Sequence, residues 1–312
     1  FRDEKCDLVL MEVGMGGDLD ATNIISTTVL SILVSISMDH TAFLGNTLGE
    51  IAEKKAGIIK PNSHMVTVKQ QPEAEAVIRR ICAEQNVPYE AADRDSAEVL
   101  EASITGQTFL YKGEKYTISL AGAYQKENAV AALRALEILN EQGYPTTLVQ
   151  RQDGLKRTTW PGRFALLGTE PDFVVDGAHN PAAADMLAAS IERYFTGEEL
   201  ILIMGVFKDK EYEKIVQILC PSAKRVYTVD LPNKERTLSA EKLAECVRDC
   251  MTEQLSVYAE KSIGDAVAKA YTYATEDSGK RAVIACGSLS YLSEVIRCME
   301  GCVQNPQRKE RI

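Results

Sequence analysis

The segment CDLVLMEVGMGGDLDATN, residues 6–23, determines how the rest of the chain is interpreted. Its first half, Cys6–Val13, is a nearly continuous apolar run, which is typical of a strand buried on both faces of a parallel sheet. The run carries Glu12 and leads into a glycine-rich turn at residues 14–17. We therefore expect an α/β fold in which Glu12 lies at the carboxyl edge of a sheet, where open α/β sheets bind ligands.

A second apolar run follows at Val29–Ser37 and leads to the pair Asp39 and His40. The same pattern predicts a second buried strand, parallel to the first. Because parallel strands end at the same edge of a sheet, Glu12 and His40 should be delivered to one place.

A helix is predicted directly after these two strands. Thr47 and Glu50 have the T-x-x-E spacing of a capping box, and the helix they open should run to Gly57 and carry Lys55. A carboxylate, an imidazole and a lysine at one sheet edge indicate a metal-assisted phosphate site. Mg²⁺ prefers oxygen ligands and commonly keeps substrate phosphates in its coordination shell.

Three motifs in this region carry a resemblance to a known family. Glu12–Asn23, Ser35–Gly45 and Lys55–Lys60 resemble the core signature of the folylpolyglutamate synthase and dihydrofolate synthase family, within the Mur ligase superfamily. They occur in the family's order and at compatible spacing. The sequence departs from the family at Asp18, where arginine is common.

The resemblance implies a function for several of these residues. Glu12 and His40 would bind Mg²⁺, and Lys55 would be a carbamylated catalytic lysine that helps to place a metal. Carbamylation turns an ammonium into an anionic oxygen donor and requires a neutral amine, which burial or a nearby cation favours. The residues that the resemblance places at the pterin pocket are Leu19, Asp20 and Ala21.

Later motifs are similar to the nucleotide-binding positions of the same family. Asn128, in the helix start GAYQKENA, matches an asparagine near the adenine. Arg163, in WPGRF, would contact ATP and support the transferring phosphoryl group, for which its planar, permanently charged fork is suited. Asp176 and His179, in the segment DGAHNP after a predicted strand, would contact the nucleotide.

Alternating strand and helix patterns predict the domain organisation. We expect a partial, parallel-sheet ATPase domain of the Mur ligase type at residues 1–150. A Rossmann-like, doubly wound glutamate ligase domain should follow at 151–302, with a polar tail at 303–312. The sequence contains no G-x-x-x-x-G-K-[ST] phosphate loop, which the family carries upstream of this segment. We therefore expect an N-terminally truncated ATPase domain that does not turn over by itself.

Composition excludes several classes of function. The net charge of -10, from 35 basic and 45 acidic residues, argues against nucleic acid as the main partner. No apolar run approaches the length of a membrane helix, and no secretory signal opens the chain. The eight cysteines include no C-x-x-C pair, so we expect reduced thiols in a cytoplasmic protein. A zinc site from the pairs Cys246/Cys250 and Cys298/Cys302 is the alternative.

The predicted function is an ATP- and Mg²⁺-dependent ligase that joins L-glutamate to a folate or dihydropteroate carboxylate through an acyl phosphate. We expect it to act as a monomer. Another Mur-type amide ligase and a non-catalytic nucleotide- or pterin-binding protein are the alternatives. A dinucleotide-dependent oxidoreductase fits poorly, because the third glycine of its fingerprint is replaced by Leu19.

Overall fold

The computed structural model describes residues 3–251, 255–276 and 279–304. Contacts within the chain divide these residues into two compact units. The first unit holds the described residues up to Glu98, together with Leu110–Lys115 and Lys126–Gly154. The second holds Val99–Phe109, Tyr116–Gln125 and the described residues from Leu155 onward.

The first unit is built on a three-stranded parallel sheet in the order β1-β2-β3. Short helices connect the strands, as expected for an α/β fold. In chain order the elements are β1 (Leu30–Leu33), α1 (Thr41–Leu44), α2 (Leu48–Ala56), β2 (His64–Thr67), α3 (Pro72–Glu84) and β3 (Tyr89–Ala91).

The predicted start of α2 is confirmed. Thr47 is its N-cap and accepts a hydrogen bond from the Glu50 N–H at 3.1 Å. The Glu50 carboxylate turns back to accept from the Asn46 N–H at 2.6 Å, one residue earlier than in a standard capping box. Ile51 and Ala56 are fully buried on the side of α2 that faces the core of this unit, so α2 is held by packing as well as by its cap.

The predicted first strand is wrong. Residues 6–13 are irregular, and Leu10 is 87% exposed. An apolar run favours burial, but a strand also needs a neighbour that satisfies its backbone hydrogen bonds. Residues 6–13 pair with no strand of the described chain, and β1 is an edge strand of its sheet. The inference that two paired strands deliver Glu12 and His40 to one edge therefore fails.

The middle of the chain contains a small sheet and two helices. Lys112 and Gly113 both have positive φ, as the two-residue type I′ turn of a β-hairpin requires. The sheet order is β4-β5-β6. The elements are β4 (Ala97–Ser103), β5 (Gly106–Tyr111), β6 (Glu114–Ile118), α4 (Gln125–Glu141) and α5 (Leu148–Arg157).

The second unit contains a six-stranded sheet in the order β11-β10-β9-β12-β8-β7. Its strands are parallel except for β7, which pairs with β8 in the antiparallel direction. The strands are β7 (Ala165–Thr169), β8 (Asp172–Val175), β9 (Glu199–Met204), β10 (Ala223–Thr228), β11 (Ser256–Ala259) and β12 (Arg281–Cys286). The helices are α6 (Pro181–Tyr194), α7 (Tyr212–Leu219), α8 (Ala240–Cys250), α9 (Ile263–Ala274) and α10 (Leu292–Gln304).

Both faces of this sheet are buried. On β9, Leu202 and Met204 belong to the core on one face, whereas Ile201 and Ile203 belong to the core on the other. Each of these four side chains is fully buried, which stabilises the fold by roughly 1.5–3 kcal/mol per side chain. The α/β class, with a doubly wound second unit, is confirmed. The predicted tail lies mostly outside the described residues, and α10 extends to Gln304.

Candidate functional site

In the first unit, the glycine-rich turn packs directly against the last turn of α2. A Cβ atom on Gly17 would lie 2.7 Å from the carbonyl oxygen of Lys55, so only glycine permits this approach. The Asp18 N–H donates to the Lys54 carbonyl at 3.0 Å. The Asp18 carboxylate also contacts the Lys54 ammonium at 2.9 Å. The predicted pterin segment and Lys55 therefore belong to one local structure.

Asp20 organises the loop that carries it. Its carboxylate accepts hydrogen bonds from the N–H groups of Gly14, Met15 and Thr22, and from the Thr22 hydroxyl at 2.6 Å. The Thr22 hydrogen bonds are the main reason that its pKa falls to about 2. Its two neighbours face solvent, and the Leu19 side chain is 88% exposed. Of the three predicted pterin residues, Leu19 and Ala21 offer exposed surface and Asp20 shapes the loop.

Lys55 lies half-buried near Asp39. Burial lowers the pKa of the Lys55 ammonium, and attraction to the Asp39 carboxylate partly opposes that shift. His40 follows Asp39 in the left-handed conformation with φ of 51°, which starts α1. Its Nε2 lies 3.9 Å from the Asp39 carboxylate. The structure thus groups Lys55, Asp39 and His40, and Asp39 is a carboxylate that the sequence interpretation had not assigned to the site.

We predicted that a strand would carry Glu12, but Glu12 lies in an exposed, irregular segment of the chain. Asn128 is exposed in the first turn of α4.

The second unit brings together Arg163, Asp176 and His179, as the sequence predicted from separate motifs. Asp176 follows β8 and is only 4% exposed. Its carboxylate accepts from the N–H groups of Phe164 and Ala178, each at 2.8 Å. Burial raises the pKa of Asp176 to about 6, although these hydrogen bonds and the charges of Arg163 and His179 pull it down.

The imidazole of His179 has a defined orientation. Its Nδ1 lies 2.8 Å from the Gly177 carbonyl oxygen. Because a carbonyl only accepts hydrogen bonds, Nδ1 carries a proton. In the neutral form of the ring, Nε2 is then an acceptor. The next residue, Asn180, caps α6 by accepting from the Ala183 N–H at 2.8 Å. The cap and Pro181 fix the helix start and therefore the turn that carries His179.

Tyr124 is a member of this group that the sequence interpretation missed. It lies in the GAYQKENA segment, and the charges of Asp176 and Arg163 both act on its phenol. Burial is the main reason that its pKa is raised, so the hydroxyl stays protonated and can donate a hydrogen bond. Its position in a recognised motif was the only signal in the sequence.

The raised pKa of Asp176 predicts a pH-dependent stability. The folded protein binds this proton up to about pH 6, whereas the unfolded chain releases it near its ordinary pKa of 3.8. Stability from this group therefore falls as pH rises from about 4 to above 6, by about 3 kcal/mol. We expect urea unfolding of Asp176→Asn to lack this loss. The exposed Asp185→Asn should keep the wild-type pH dependence, and an equal dependence in all three proteins would contradict the prediction.

Two families of known domains match these two parts of the chain. The Mur ligase middle domain matches residues 1–136, and the glutamate ligase domain of Mur ligases matches residues 162–289. The folylpolyglutamate synthase of Lacticaseibacillus casei is 34% identical over 245 residues, which cover 76% of this chain and 57% of that protein.

A probable dihydrofolate synthetase of Schizosaccharomyces pombe is 30% identical over 308 residues, which cover 96% of this chain and 73% of that protein. The chain belongs to the folylpolyglutamate and dihydrofolate synthase family. A folylpolyglutamate synthase of Mycobacterium tuberculosis, solved with ADP and AMPPCP, superposes with a TM-score of 0.82 at 27% identity. That superposition covers 97% of this chain and 70% of the solved one.

The chain spans about half the length of the curated relatives that it matches first, 57% and 51% of two bacterial proteins. Asp176 and His179 fall within the glutamate ligase match, and Lys55 falls within the middle-domain match.

The donors in the first unit suit the Mg²⁺ that the family implies. Asp39 supplies carboxylate oxygens, and the half-buried Lys55, with its lowered pKa, is suited to become an oxygen donor by carbamylation. Among the residues that the structure describes, no group of three or more His, Cys, Asp or Glu side chains forms a metal site by itself. The predicted zinc alternative from the cysteine pairs is therefore not supported, and no disulfide joins cysteines in the part of the chain that the structure describes.

A further cavity lies elsewhere in the second unit. It has a volume of about 1170 Å³ and lies beside α9, with Arg225, Tyr258 and Lys269 among its lining residues. None of the predicted site residues of this family lines it. In the part of the chain that the structure covers, every helix is too short or too polar to cross a bilayer.

Proposed function

We propose that the protein is an ATP-dependent ligase that adds L-glutamate to the carboxylate of a folate or of dihydropteroate. The observation that carries the proposal is a group of four side chains at the carboxyl end of β8. Hydrogen bonds hold Asp176 and His179, and the charges of Arg163 and Asp176 act on Tyr124. Such an edge is where α/β sheets bind ligands, and a guanidinium there is suited to phosphate. The relatives named for this activity support the same conclusion.

The reaction would proceed in two steps. The folate carboxylate attacks the γ-phosphorus of ATP, which gives an acyl phosphate and ADP. The amino group of glutamate then attacks the acyl carbon, and the carbon–oxygen bond breaks to release phosphate and leave the amide. Positioning and charge neutralisation are the main contributions that a protein makes to phosphoryl transfer.

Residues of the second unit would act on the nucleotide. Arg163 would stabilise the negative charge on the transferring phosphoryl group. Asp176 would hold the Phe164–Ala178 turn in shape and balance the charge of Arg163. His179 would present Nε2 to the nucleotide, and the Tyr124 hydroxyl would donate a hydrogen bond. In the first unit, Asn128 of α4 would contact the adenine.

Residues of the first unit would act on the metal and the pterin. Glu12, His40 and carbamylated Lys55 would bind Mg²⁺, with Asp39 as a further oxygen donor. Mg²⁺, when bound, neutralises the charge of the phosphates. Leu19 and Ala21 would border the pterin, on the loop that Asp20 holds together. We assign the ATPase function to residues 1–150 and the glutamate ligase function to 151–302, which the positions of the two family matches support.

We further infer a monomer that works in the cytoplasm, without nucleic acid or membrane as a partner. The net charge of -10 supports the exclusion of nucleic acid, and the absence of a disulfide among the eight cysteines of the described residues suits a reducing compartment.

An isotope experiment with the full-length natural protein tests the acyl phosphate. A pterin substrate whose carboxylate carries heavy oxygen should transfer one labelled oxygen to the inorganic phosphate, as mass spectrometry would detect. The same mixture without glutamate is the control and should release little phosphate. Glutamylated product with unlabelled phosphate would contradict the proposed chemistry.

A further inference from the structure

The loop at residues 14–23 and the last turn of α2 approach each other unusually closely. A Cβ atom on Gly57 would lie 2.6 Å from the Cβ of Asp18, and one on Gly17 would lie 2.9 Å from the Lys54 carbonyl oxygen. Both glycines therefore allow backbone to lie against backbone. The turn that carries Lys54 and Lys55 is the surface on which this loop rests.

Asp18 joins the two segments through backbone and side chain together. Its N–H donates to the Lys54 carbonyl at 3.0 Å, and its Oδ2 accepts from the Lys54 ammonium at 2.9 Å. Its Oδ1 accepts from the Leu19 N–H at 2.9 Å. One carboxylate thus contacts both α2 and the first residue of the predicted pterin segment.

These contacts also satisfy the end of α2. The last carbonyl groups of a helix have no partner within the helix, and here the Lys54 carbonyl receives the Asp18 N–H. The Asn23 amide donates to the Gly57 carbonyl at 3.2 Å and to the Asp18 carbonyl at 3.3 Å. The loop therefore acts as the cap of α2, and any movement of the loop exposes this helix end.

The two adjacent lysines of this helix turn have different carboxylate partners. Lys54 extends to Asp18 across the loop, whereas the half-buried Lys55 lies near Asp39. Arginine at position 18 would face the Lys54 ammonium with a like charge. The contact therefore depends on the opposite charges of Asp18 and Lys54.

We propose that Asp18 is a positioning residue that fixes the pterin loop, residues 19–21, against the helix turn of Lys55 by pairing with Lys54. This inference rests on the proposed ligase function, because it assigns the loop to substrate binding. The pair acts on the binding of the pterin and leaves phosphoryl transfer to other residues. Its loss should raise KM for the pterin substrate and change kcat little.

The expected effect is moderate, because the Asp18 and Lys54 side chains are 35% and 42% exposed. Solvent-exposed ion pairs of this kind contribute little, so a rise in KM of about threefold to fivefold is expected in Asp18→Asn and in Lys54→Met. The double variant with swapped charges, Asp18→Lys and Lys54→Glu, should return KM most of the way to the wild-type value. The change Asp18→Arg alone should not.

Hydrogen exchange supplies a readout that needs no turnover. The loop amides of Gly14, Met15 and Thr22 should exchange faster with solvent in Asp18→Asn and return towards the wild-type rate in the double variant with swapped charges. Glu75→Gln is the matched control, because it breaks the Arg79–Glu75 ion pair of 2.6 Å on α3 and should leave these amides unchanged.

The inference would be overturned if Asp18→Asn left both the hydrogen exchange of the loop amides and KM unchanged. It would also be overturned if the double variant with swapped charges restored neither quantity. Faster hydrogen exchange of the loop amides in Asp18→Asn, reversed in the double variant with swapped charges, supports the pairing of Asp18 with Lys54. If such a protein shows no turnover with any pterin, the proposed function fails while the positioning of the loop by Asp18 stands.

Discussion

Replacing Lys55 by methionine is expected to lower kcat of the full-length protein by more than about a hundredfold. Loss of a residue that only hydrogen-bonds to a metal ligand has a smaller effect than this. The physical reason lies in the lysine's surroundings. Burial lowers the pKa of its ammonium, which favours the neutral amine that carbamylation requires. Methionine preserves much of the buried volume but cannot become an oxygen donor.

The design separates chemistry from folding. Lys69→Met is the matched control, because Lys69 is exposed two residues after the end of β2 and should tolerate the change. Steady-state kinetics and thermal unfolding would be measured on both variants, together with the mass of the intact protein after gentle trapping of the carbamate. Full activity in Lys55→Met would remove this lysine from the site, whereas equal losses of activity and stability would indicate a structural function.

Replacing Arg163 by alanine is expected to lower kcat by about a thousandfold, at the lower end of the effect of arginines that stabilise a transferring phosphoryl group. Arg163 is half-buried, and its charge acts on both Asp176 and Tyr124. Arg163→Lys keeps the charge but loses the planar fork, so it should recover only part of the rate. KM for glutamate should change much less than kcat.

Arg193→Ala and Arg193→Lys are the controls for this prediction. Arg193 is exposed on α6 and stacks near the Tyr194 ring at 5.6 Å, so its replacement should leave kcat near wild type. If Arg163 only balanced the buried charge of Asp176, its alanine variant would lose stability and keep its rate. That result would contradict the catalytic assignment.

The sequence predicted local features well where neighbouring residues determine them. Thr47 caps α2 because its side chain reaches the N–H of the residue three positions later, which requires no information from elsewhere in the chain. The alternating strand and helix patterns of the second unit were interpreted correctly as a doubly wound sheet, in which β9 and β12 have helices on each face and parallel neighbours on each edge.

Features that depend on distant partners were not predictable in the same way. Residues 6–13 have the pattern of a buried strand but lack a pairing neighbour in the described chain, so Glu12 is not delivered as expected. Tyr124 acquires its importance from Asp176 and Arg163, which are far away in sequence. Asp20 was assigned to the pterin pocket, whereas its hydrogen bonds to Gly14, Met15 and Thr22 are visible only in the folded loop.

The most direct test of the ligase assignment is glutamate-dependent release of ADP by the full-length natural protein. Dihydropteroate and tetrahydrofolate would each be offered with ATP and Mg²⁺, with and without glutamate, and the pterin product would be identified by mass. The account predicts that ADP release requires both the pterin and glutamate, and that the pterin gains one glutamyl residue. A folded, ATP-binding protein that glutamylates neither pterin would contradict it.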